Sequence, residues 1–275
     1  FTAGFTGAGG EIVDQILTPF GTQDFGSFFV GVPDADMVFG GYAGADAIAF
    51  INQYEQFGLK DRAPLLGHGP LITELLLQIE GPAAIGTTVG FYYTSSLDNP
   101  ENQAFKDALA AANPDLPPSH FTAGSWATGS ILLQAIENAG AGADGPALRD
   151  AIAAVEVDTP WGPAHFDADS GYIFGPTYIY TAVQDGEALR HEPLAIITAT
   201  GDVSTQEAAA DTEPAAEPVV VGVISSYTGP FGIYGAPMEL AMSLRLNAAG
   251  AAAGNIPVET VFEDDGTDPA TAVQK

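Results

Sequence analysis

A complete strand–loop–helix–strand unit lies near the end of the chain and constrains the fold more than any other feature of the sequence. Residues 218–223 form an apolar run that predicts a strand, and a glycine-rich loop with two tyrosines follows over 225–235. A helix is predicted over 237–248 and a second strand over 258–262. Units of this kind build open α/β sheets, which bind ligands beyond the carboxyl ends of their strands. The loop is therefore a candidate binding element.

Strand and helix patterns also alternate through the first part of the chain, which favours a parallel sheet covered by helices. The strands predicted before Asp98 are Glu11–Leu17, Asp36–Phe39, Pro64–Gly67 and Thr87–Tyr93, and the helices between them are Thr22–Val32, Ala45–Phe57 and Leu71–Ile79. After Asp98 we predict two helices that begin behind the N-caps Asn99 and Ser119, a third helix over 146–155, and two strands over 161–166 and 172–184.

The charge balance restricts the partners of this chain. It carries 35 Asp and Glu residues against 7 Lys and Arg, for a formal net charge of −28. Such a surface repels nucleic acid and anionic lipid, so we expect neither as a partner. An acidic, lysine-poor surface over an ordinary core is typical of a halophilic protein, because molar salt screens charges over about 3 Å. A specific cation-binding role for these acids is the alternative.

Several functional classes lack their required residues. The chain has no cysteine, which excludes disulfides, thiolate catalysis and cysteine-ligated metals. It contains no apolar run of about 18 residues, so we expect no direct membrane insertion. It also lacks a phosphate-binding loop, a serine nucleophile elbow and histidines at metal-ligand spacing. We therefore predict no metal, no cofactor and no enzymatic activity.

A change in composition divides the chain. The segment 198–217 is rich in Ala, Thr, Gly and acids, and it has no aromatic or basic residue. That composition is typical of a flexible linker. We therefore predict an acidic linker over 196–217 between a long first part and a short second part. Short helical patterns at Phe1–Phe5 and after Asp268 predict that both ends of the chain were cut within helices.

Several segments together resemble the type I periplasmic solute-binding proteins of ABC transporters, in the branched-chain amino acid-binding (Leu/Ile/Val-binding) group. The segments that carry the resemblance are 219–235 (VVVGVISSYTGPFGIYG), 263–269 (EDDGTDP), 36–60 (DMVFGGYAGADAIAFINQYEQFGLK), 95–109 (SSLDNPENQAFKDAL) and 157–172 (VDTPWGPAHFDADSGY). The first two are similar to the opening of that family's first lobe, and the third to a strand, loop and helix of its second lobe. The resemblance implies an α/β fold with two Rossmann-like lobes built on parallel sheets.

The order of these segments is rotated relative to the family. Residues 1–190 are similar to the later part of such a protein and 218–275 to its opening, while an intervening segment is absent. A piece of a tandem fusion, a circular permutant, or a deletion that still forms one body would each explain this order. We expect an incomplete fold: 1–195 as the second lobe with helices of the first, and 218–275 as the first lobe's opening.

The resemblance implies an extracytoplasmic receptor, with its signal or anchor segment outside this sequence. Its two lobes would close on a small organic solute and deliver it to the membrane subunits of an ABC permease. The alternative is a ligand-sensing domain of a receptor or regulator that uses the same fold. By position, Tyr42 and Tyr234 match aromatic residues that the two lobes present to the ligand. Tyr42 is also expected to lie off the core face of the helix that follows it.

Four further residues are candidates for ligand contact. Tyr92 and Tyr227 follow other strands, and Ala43 lies in the Tyr42 loop, where backbone N–H groups would meet an anionic or carbonyl ligand. A packed aromatic is the alternative for each tyrosine. His68 lies in a loop where amino acid-binding relatives place a carboxylate, and this loop has no acid. Amides and aromatic acids are therefore candidates for the solute beside amino acids. His68 either bonds the ligand or faces solvent.

We expect the thermal stability of the chain to rise with KCl into the molar range. The 35 acidic and 7 basic side chains repel one another most strongly at low ionic strength. Thermal melting followed by circular dichroism between about 0.1 M and about 3 M KCl measures this effect. A melting temperature that is the same across the series would remove the halophilic interpretation.

Overall fold

A computed structural model describes residues 1–167, 170–197 and 217–275. The predicted linker lies, apart from its first two residues and its last, outside the described residues. The helices of the described part are α1 (Thr2–Gly7), α2 (Gly26–Phe29), α3 (Gly44–Gln56), α4 (Glu74–Glu80), α5 (Pro100–Ala112), α6 (His120–Ala139), α7 (Gly145–Ala153), α8 (Gly232–Ala248) and α9 (Pro269–Ala272). Two 3₁₀ turns, Gly69–Ile72 and Gly81–Ala84, flank α4.

The strands form three sheets. They are β1 (Val38–Gly40), β2 (Leu65–His68), β3 (Thr88–Phe91), β4 (Glu156–Thr159), β5 (Gly162–Phe166), β6 (Ile173–Phe174), β7 (Thr177–Asp185), β8 (Ala188–Ile197), β9 (Val219–Ser225), β10 (Ala252–Ala253) and β11 (Ile256–Asp264). The largest sheet has the order β1-β2-β3-β7-β8, the second has the order β10-β11-β9, and the third has the order β4-β5-β6.

The largest sheet is only partly parallel. Strands β1, β2 and β3 are parallel, as the alternating pattern predicts, and β7 and β8 then join them in antiparallel pairings. The last pairing is a hairpin closed by Gly186 and Glu187, and Gly186 has a φ of +62°. A two-residue hairpin turn favours residues that adopt positive φ. Strand β8 is not among the predicted elements, and the two antiparallel pairings make the sheet mixed.

The strand–loop–helix–strand unit near the end of the chain is confirmed. Strands β9 and β11 pair in parallel, and α8 connects them. Helix α8 begins at Gly232, five residues before the predicted start, so Pro237 lies inside it. The unit does not stand apart from the rest of the chain, because α8 packs along α6. Their shared core joins both helices to the small sheet and contains Leu133, Ile136, Met242, Leu246, Ile256 and Val258.

Local signals in the sequence set the helix boundaries. The Asn99 side chain accepts a hydrogen bond from the Asn102 N–H at 2.8 Å, which satisfies a donor at the start of α5. Ser119 and Thr122 form a capping box at the start of α6. Gly58 follows α3 with a φ of +69°, a conformation that glycine adopts without a steric penalty. The predicted caps Asn99 and Ser119 are confirmed.

The segment Glu11–Leu17, which was predicted to be a strand, forms no regular structure. The prediction rested on the period-two series Ile12, Asp14 and Ile16, but Ile16 is exposed, as are Val13 and Leu17 at 57% and 79%. Strand β1 lies at the edge of its sheet and pairs only with β2. Alternation favours a strand only where a neighbouring strand and a core accept it. In this chain the segment instead lines a cleft beside β1.

Glu80, the last residue of α4, is a buried carboxyl group. It is 2% exposed, and neither carboxylate oxygen has a hydrogen-bond partner among the described residues. Burial raises its pKa from 4.5 to about 9. The folded chain therefore keeps a proton that the unfolded chain releases once the pH exceeds the ordinary pKa. Between these two pKa values, the presence of Glu80 makes the folded state less stable as the pH rises.

We expect Glu80→Gln to stabilise the chain at neutral and alkaline pH. The gain should grow by on the order of 1.4 kcal/mol per pH unit above the ordinary pKa and level off near the raised one. Urea unfolding at several pH values between about 4 and 9 measures it, with Glu55→Gln at an exposed position as the matched control. A variant with unchanged stability at every pH would show that Glu80 is ionised in the folded chain.

Candidate functional site

The carboxyl ends of three parallel strands bring three of the predicted site residues to one edge of the large sheet. Tyr42 lies two residues after β1, His68 ends β2, and Tyr92 directly follows β3. The register aligns these ends, because Gly40 pairs with Gly67 and His68 pairs with Gly90. Open α/β sheets bind ligands at this edge.

A cleft with a volume of about 1200 Å³ opens at this edge. Tyr42, Ala43 and His68 line it, together with Phe20 and Phe231. The N-terminal segment, residues 9–20, also lines it. The cleft thus combines aromatic side chains with polar and acidic ones such as Asp14, Thr18 and Asp46, and a concave site with aromatic walls and polar groups suits a small molecule.

Tyr42 is packed more firmly than its loop position predicts. Its ring centroid lies 4.4 Å from that of Phe50 and 5.1 Å from that of Phe25, in an edge-to-face contact. Its hydroxyl accepts a hydrogen bond from Thr18 Oγ1 at 3.2 Å. The expectation that Tyr42 stands off the core is wrong, because the aromatic cluster below the cleft extends to its ring. The tyrosine therefore forms a rigid part of the cleft wall.

Tyr234 joins the C-terminal unit to the start of α3. Its hydroxyl accepts a hydrogen bond from the Gly44 N–H at 2.8 Å, and its ring stacks on Phe121 with centroids 3.8 Å apart. Burial is the main reason that its pKa is raised to about 12. Gly44 has a φ of +60°, and a Cβ there would lie 2.7 Å from the Pro230 carbonyl oxygen. Only glycine allows the loop to approach α3 this closely.

The two remaining tyrosines are held by protein partners. The Tyr92 hydroxyl donates to the His120 carbonyl oxygen at 2.7 Å, and its ring packs edge-on against Trp161. The Tyr227 hydroxyl donates to the Glu239 carboxylate. Burial raises the pKa of both phenols. Within the described part of the chain, Tyr42, Ala43 and His68 share the cleft, whereas Tyr92, Tyr227 and Tyr234 do not line it.

A buried carboxylate–imidazole pair, which sequence reasoning missed, lies beyond the end of β2. Glu74 Oε1 accepts from the Ser95 N–H at 2.7 Å and lies 3.2 Å from His191 Nδ1. His191 Nε2 lies 2.6 Å from the Ile72 carbonyl oxygen, so this nitrogen donates. Desolvation alone would raise the pKa of Glu74, but His191 and the Ser95 N–H outweigh it and lower that pKa. No spacing motif links residues so distant in sequence.

His120 is a second group that the sequence did not identify as part of this region. It is the first residue of α6 and is 1% exposed, and neither ring nitrogen has a hydrogen-bond partner in the part of the chain that the structure describes. Burial lowers its pKa to about 3, so the ring is neutral. Its ring packs against Phe91 and Phe121, with centroids 4.8 Å and 4.2 Å away. His120 thus connects the end of β3 to the ring that stacks on Tyr234.

Comparison with known proteins establishes the family. Residues 1–187 match the family profile described as periplasmic binding protein, and the chain belongs to this family. "Leu/Ile/Val-binding protein homolog 6" of Brucella melitensis is 31% identical over 184 residues, which are 65% of this chain and 47% of that protein. The chain thus spans about half the length of the curated relatives it matches. The predicted family is confirmed.

Solved structures show the same fold. An ABC transporter substrate-binding protein from Sphaerobacter thermophilus aligns with a TM-score of 0.67 and 31% identity, over 71% of this chain and 55% of that chain. A solute-binding protein of an ABC transporter from R. palustris, solved in complex with benzoate, aligns with a TM-score of 0.65 and 29% identity, over 74% of this chain and 55% of that chain. The predicted type I α/β fold is confirmed.

No helix in the described ranges is long and apolar enough to cross a membrane. No group of three or more His, Asp or Glu side chains in those ranges is arranged to hold a metal ion.

We expect Glu74→Gln to destabilise the chain by roughly 3–5 kcal/mol at neutral pH, because it leaves His191 buried without its carboxylate. The pKa of Glu74 is lowered on folding, so its contribution is complete above the ordinary value of 4.5 and is lost as the pH falls through the lowered value. The difference from the wild type should therefore shrink in acid. Urea unfolding at about pH 7 and about pH 3.5 measures both stabilities.

Glu192→Gln is the matched control for this variant. Glu192 forms an exposed ion pair with Arg190, and the loss of such a pair costs about 1 kcal/mol or less. Equal effects of the two substitutions at neutral pH would show that the pair of Glu74 and His191 contributes no more than a surface contact.

Proposed function

We propose that this chain binds a small organic solute as the receptor component of an ABC transporter. It would act outside the cytoplasm, hand its solute to the membrane subunits of the permease, and carry out no catalysis. The observation that carries the proposal is the aromatic cleft at the carboxyl ends of β1 and β2, in a chain of the periplasmic binding protein family. The division into parts of two lobes joined by a linker belongs to the same proposal.

The chemistry of the cleft supports binding of a partly apolar solute. Tyr42, Phe20 and Phe231 offer aromatic surface, and the contacts of Tyr42 with Phe25 and Phe50 hold its ring in place. Aromatic side chains lose little conformational freedom when they bind, and they anchor many binding sites. His68 supplies a polar group at the end of β2, and its Nδ1 has no partner among the described residues.

The relatives support two of the predicted classes of solute. One curated relative is named as a Leu/Ile/Val-binding protein homologue, and one solved relative holds benzoate. Amino acids and aromatic acids are therefore candidates for this chain, and amides are a third candidate from the sequence alone. Because the chain spans about half the length of those relatives, the permease partner and the whole transport cycle are part of the proposal.

We expect Tyr42→Leu to weaken solute binding by roughly 1–3 kcal/mol, because it removes an aromatic wall of the cleft. Calorimetric titration of the chain with pooled amino acids, amides and aromatic acids identifies a binder, which is then titrated alone. Tyr42→Phe should keep most of the affinity, because it retains the ring contacts with Phe25 and Phe50.

Tyr172→Leu is the control, because Tyr172 is 72% exposed and does not line the cleft. Circular dichroism of each variant checks that it is folded. If the folded Tyr42→Leu variant binds with wild-type affinity, Tyr42 has only a packing role and the cleft is not the binding site.

A further inference from the structure

We infer that the cleft binds a carboxylic acid with an apolar ring or branched tail and discriminates against the corresponding α-amino acid. This inference rests on the proposed solute-binding function and names the class of solute. It is based on which acids around the cleft are buried, which are exposed, and which already accept hydrogen bonds from the protein. An ammonium group needs an available carboxylate when it leaves water, because an uncompensated buried charge is strongly unfavourable.

Asp46 is the buried acid among the described residues that line the cleft, and it is already engaged. It is 6% exposed, and its carboxylate accepts from the Gly21 N–H at 2.9 Å and from Gln23 Nε2 at 3.2 Å. This carboxylate therefore positions protein groups, and an ammonium would have to displace them. Glu74, which pairs with His191, does not line the cleft.

The other acids along the cleft stand in solvent. Four acids from the first part of the chain line the cleft and are exposed: Glu11, Asp14, Asp34 and Asp36. Asp34 also forms an ion pair with Arg62 at 3.0 Å. Exposed acids contribute little to recognition because water and salt screen them. The same reasoning applies to the net charge of −28, which is spread over the surface. Contacts inside the cleft therefore decide between an acid and an amino acid.

The backbone beyond β2 leaves no room for another acid. A Cβ on Gly67 would lie 2.4 Å from Leu71 Cδ2, and a Cβ on Gly69 would lie 2.6 Å from the Phe91 ring. Real Cβ atoms do not approach other atoms so closely, so a side chain at either position requires Leu71 or Phe91 to move. His68 is thus the polar side chain that this turn presents to the cleft.

His68 suits an acidic solute. One nitrogen of a neutral imidazole donates a hydrogen bond, and a carboxylate oxygen is the stronger acceptor for it. Nδ1 of His68 is buried and has no hydrogen-bond partner among the described residues, so no protein contact of that nitrogen fixes the tautomer that meets the solute. The aromatic wall around Tyr42 then receives the ring or branched tail of the solute.

The test compares pairs of solutes that differ only in the ammonium group. The pairs are 3-phenylpropanoate with phenylalanine and 4-methylpentanoate with leucine, each titrated calorimetrically into the wild-type chain in molar KCl. We expect the acid of at least one pair to bind about tenfold tighter than its amino acid. His68→Gln should weaken binding of that acid about fivefold or more, and His68→Glu should narrow or reverse the preference.

His165→Gln is the matched control, because His165 lies in β5 and does not line the cleft. Circular dichroism confirms the folding of each variant. Tighter binding of both amino acids than of their acids overturns this inference and leaves solute binding intact. An acid preference that survives His68→Gln in a folded protein overturns the role of His68. If the wild-type chain binds none of the four test solutes and no solute in the pools of amino acids, amides and aromatic acids, both proposals are overturned.

Discussion

The packing of α8 against α6 is the contact on which the rest of the structure depends. At Gly129 the helices approach so closely that a Cβ would lie 3.1 Å from Arg245 Cβ. Arg245 donates from Nε to Ser130 Oγ at 2.8 Å, and its guanidinium lies 5.9 Å from the Trp126 ring centroid. Below them, the apolar side chains of both helices share a core with β9 and β11. Burial of these side chains is the main stabilising term.

This packing positions the candidate site. Because α8 lies on α6, the first turn of α8 reaches the start of α3. There the Tyr234 hydroxyl accepts a hydrogen bond from the Gly44 N–H, and the Tyr234 ring stacks on Phe121. Phe231, in the loop that directly precedes α8, lines the cleft together with Tyr42 and His68. Residues from the two ends of the chain therefore meet at one edge of the large sheet. The proposed function depends on this meeting, since neither part alone supplies the complete cleft wall.

Local patterns in the sequence predicted the elements that depend on local physics. Asn99 and Ser119 begin helices because their side chains satisfy backbone donors, and the unit around α8 is predicted by its apolar runs and glycine-rich loop. The hairpin of β7 and β8 was not predicted, although its two-residue turn with Gly186 is a local signal. The antiparallel pairing of β7 with β3 joins segments that are distant in sequence, and no local pattern specifies it. The segment Glu11–Leu17 was predicted to be a strand from a local pattern, but no neighbouring strand pairs with it and it forms no regular structure.

The candidate site was partly predictable for the same reason. Tyr42, Ala43 and His68 follow strands, and the edge of a parallel sheet collects such residues at one place. Which tyrosines are packed depends on their partners, such as Glu239 for Tyr227 and the His120 carbonyl for Tyr92, and no local pattern specifies those. The pair of Glu74 and His191 likewise forms only when β8 reaches the sheet.

The position of α8 on α6 can be measured directly because the chain has no cysteine. Spin labels on cysteines at the exposed positions Thr128 of α6 and Asn247 of α8 report the distance between the two helices by electron–electron double resonance. A label pair at Thr128 and Glu137, both in α6, gives the width of the distance distribution that is expected when the two labelled positions are held rigidly. The account predicts one short distance with a similarly narrow distribution for the α6–α8 pair. A broad distribution that extends over tens of Å would show that the C-terminal unit is not docked on α6, and it would contradict the cleft described above.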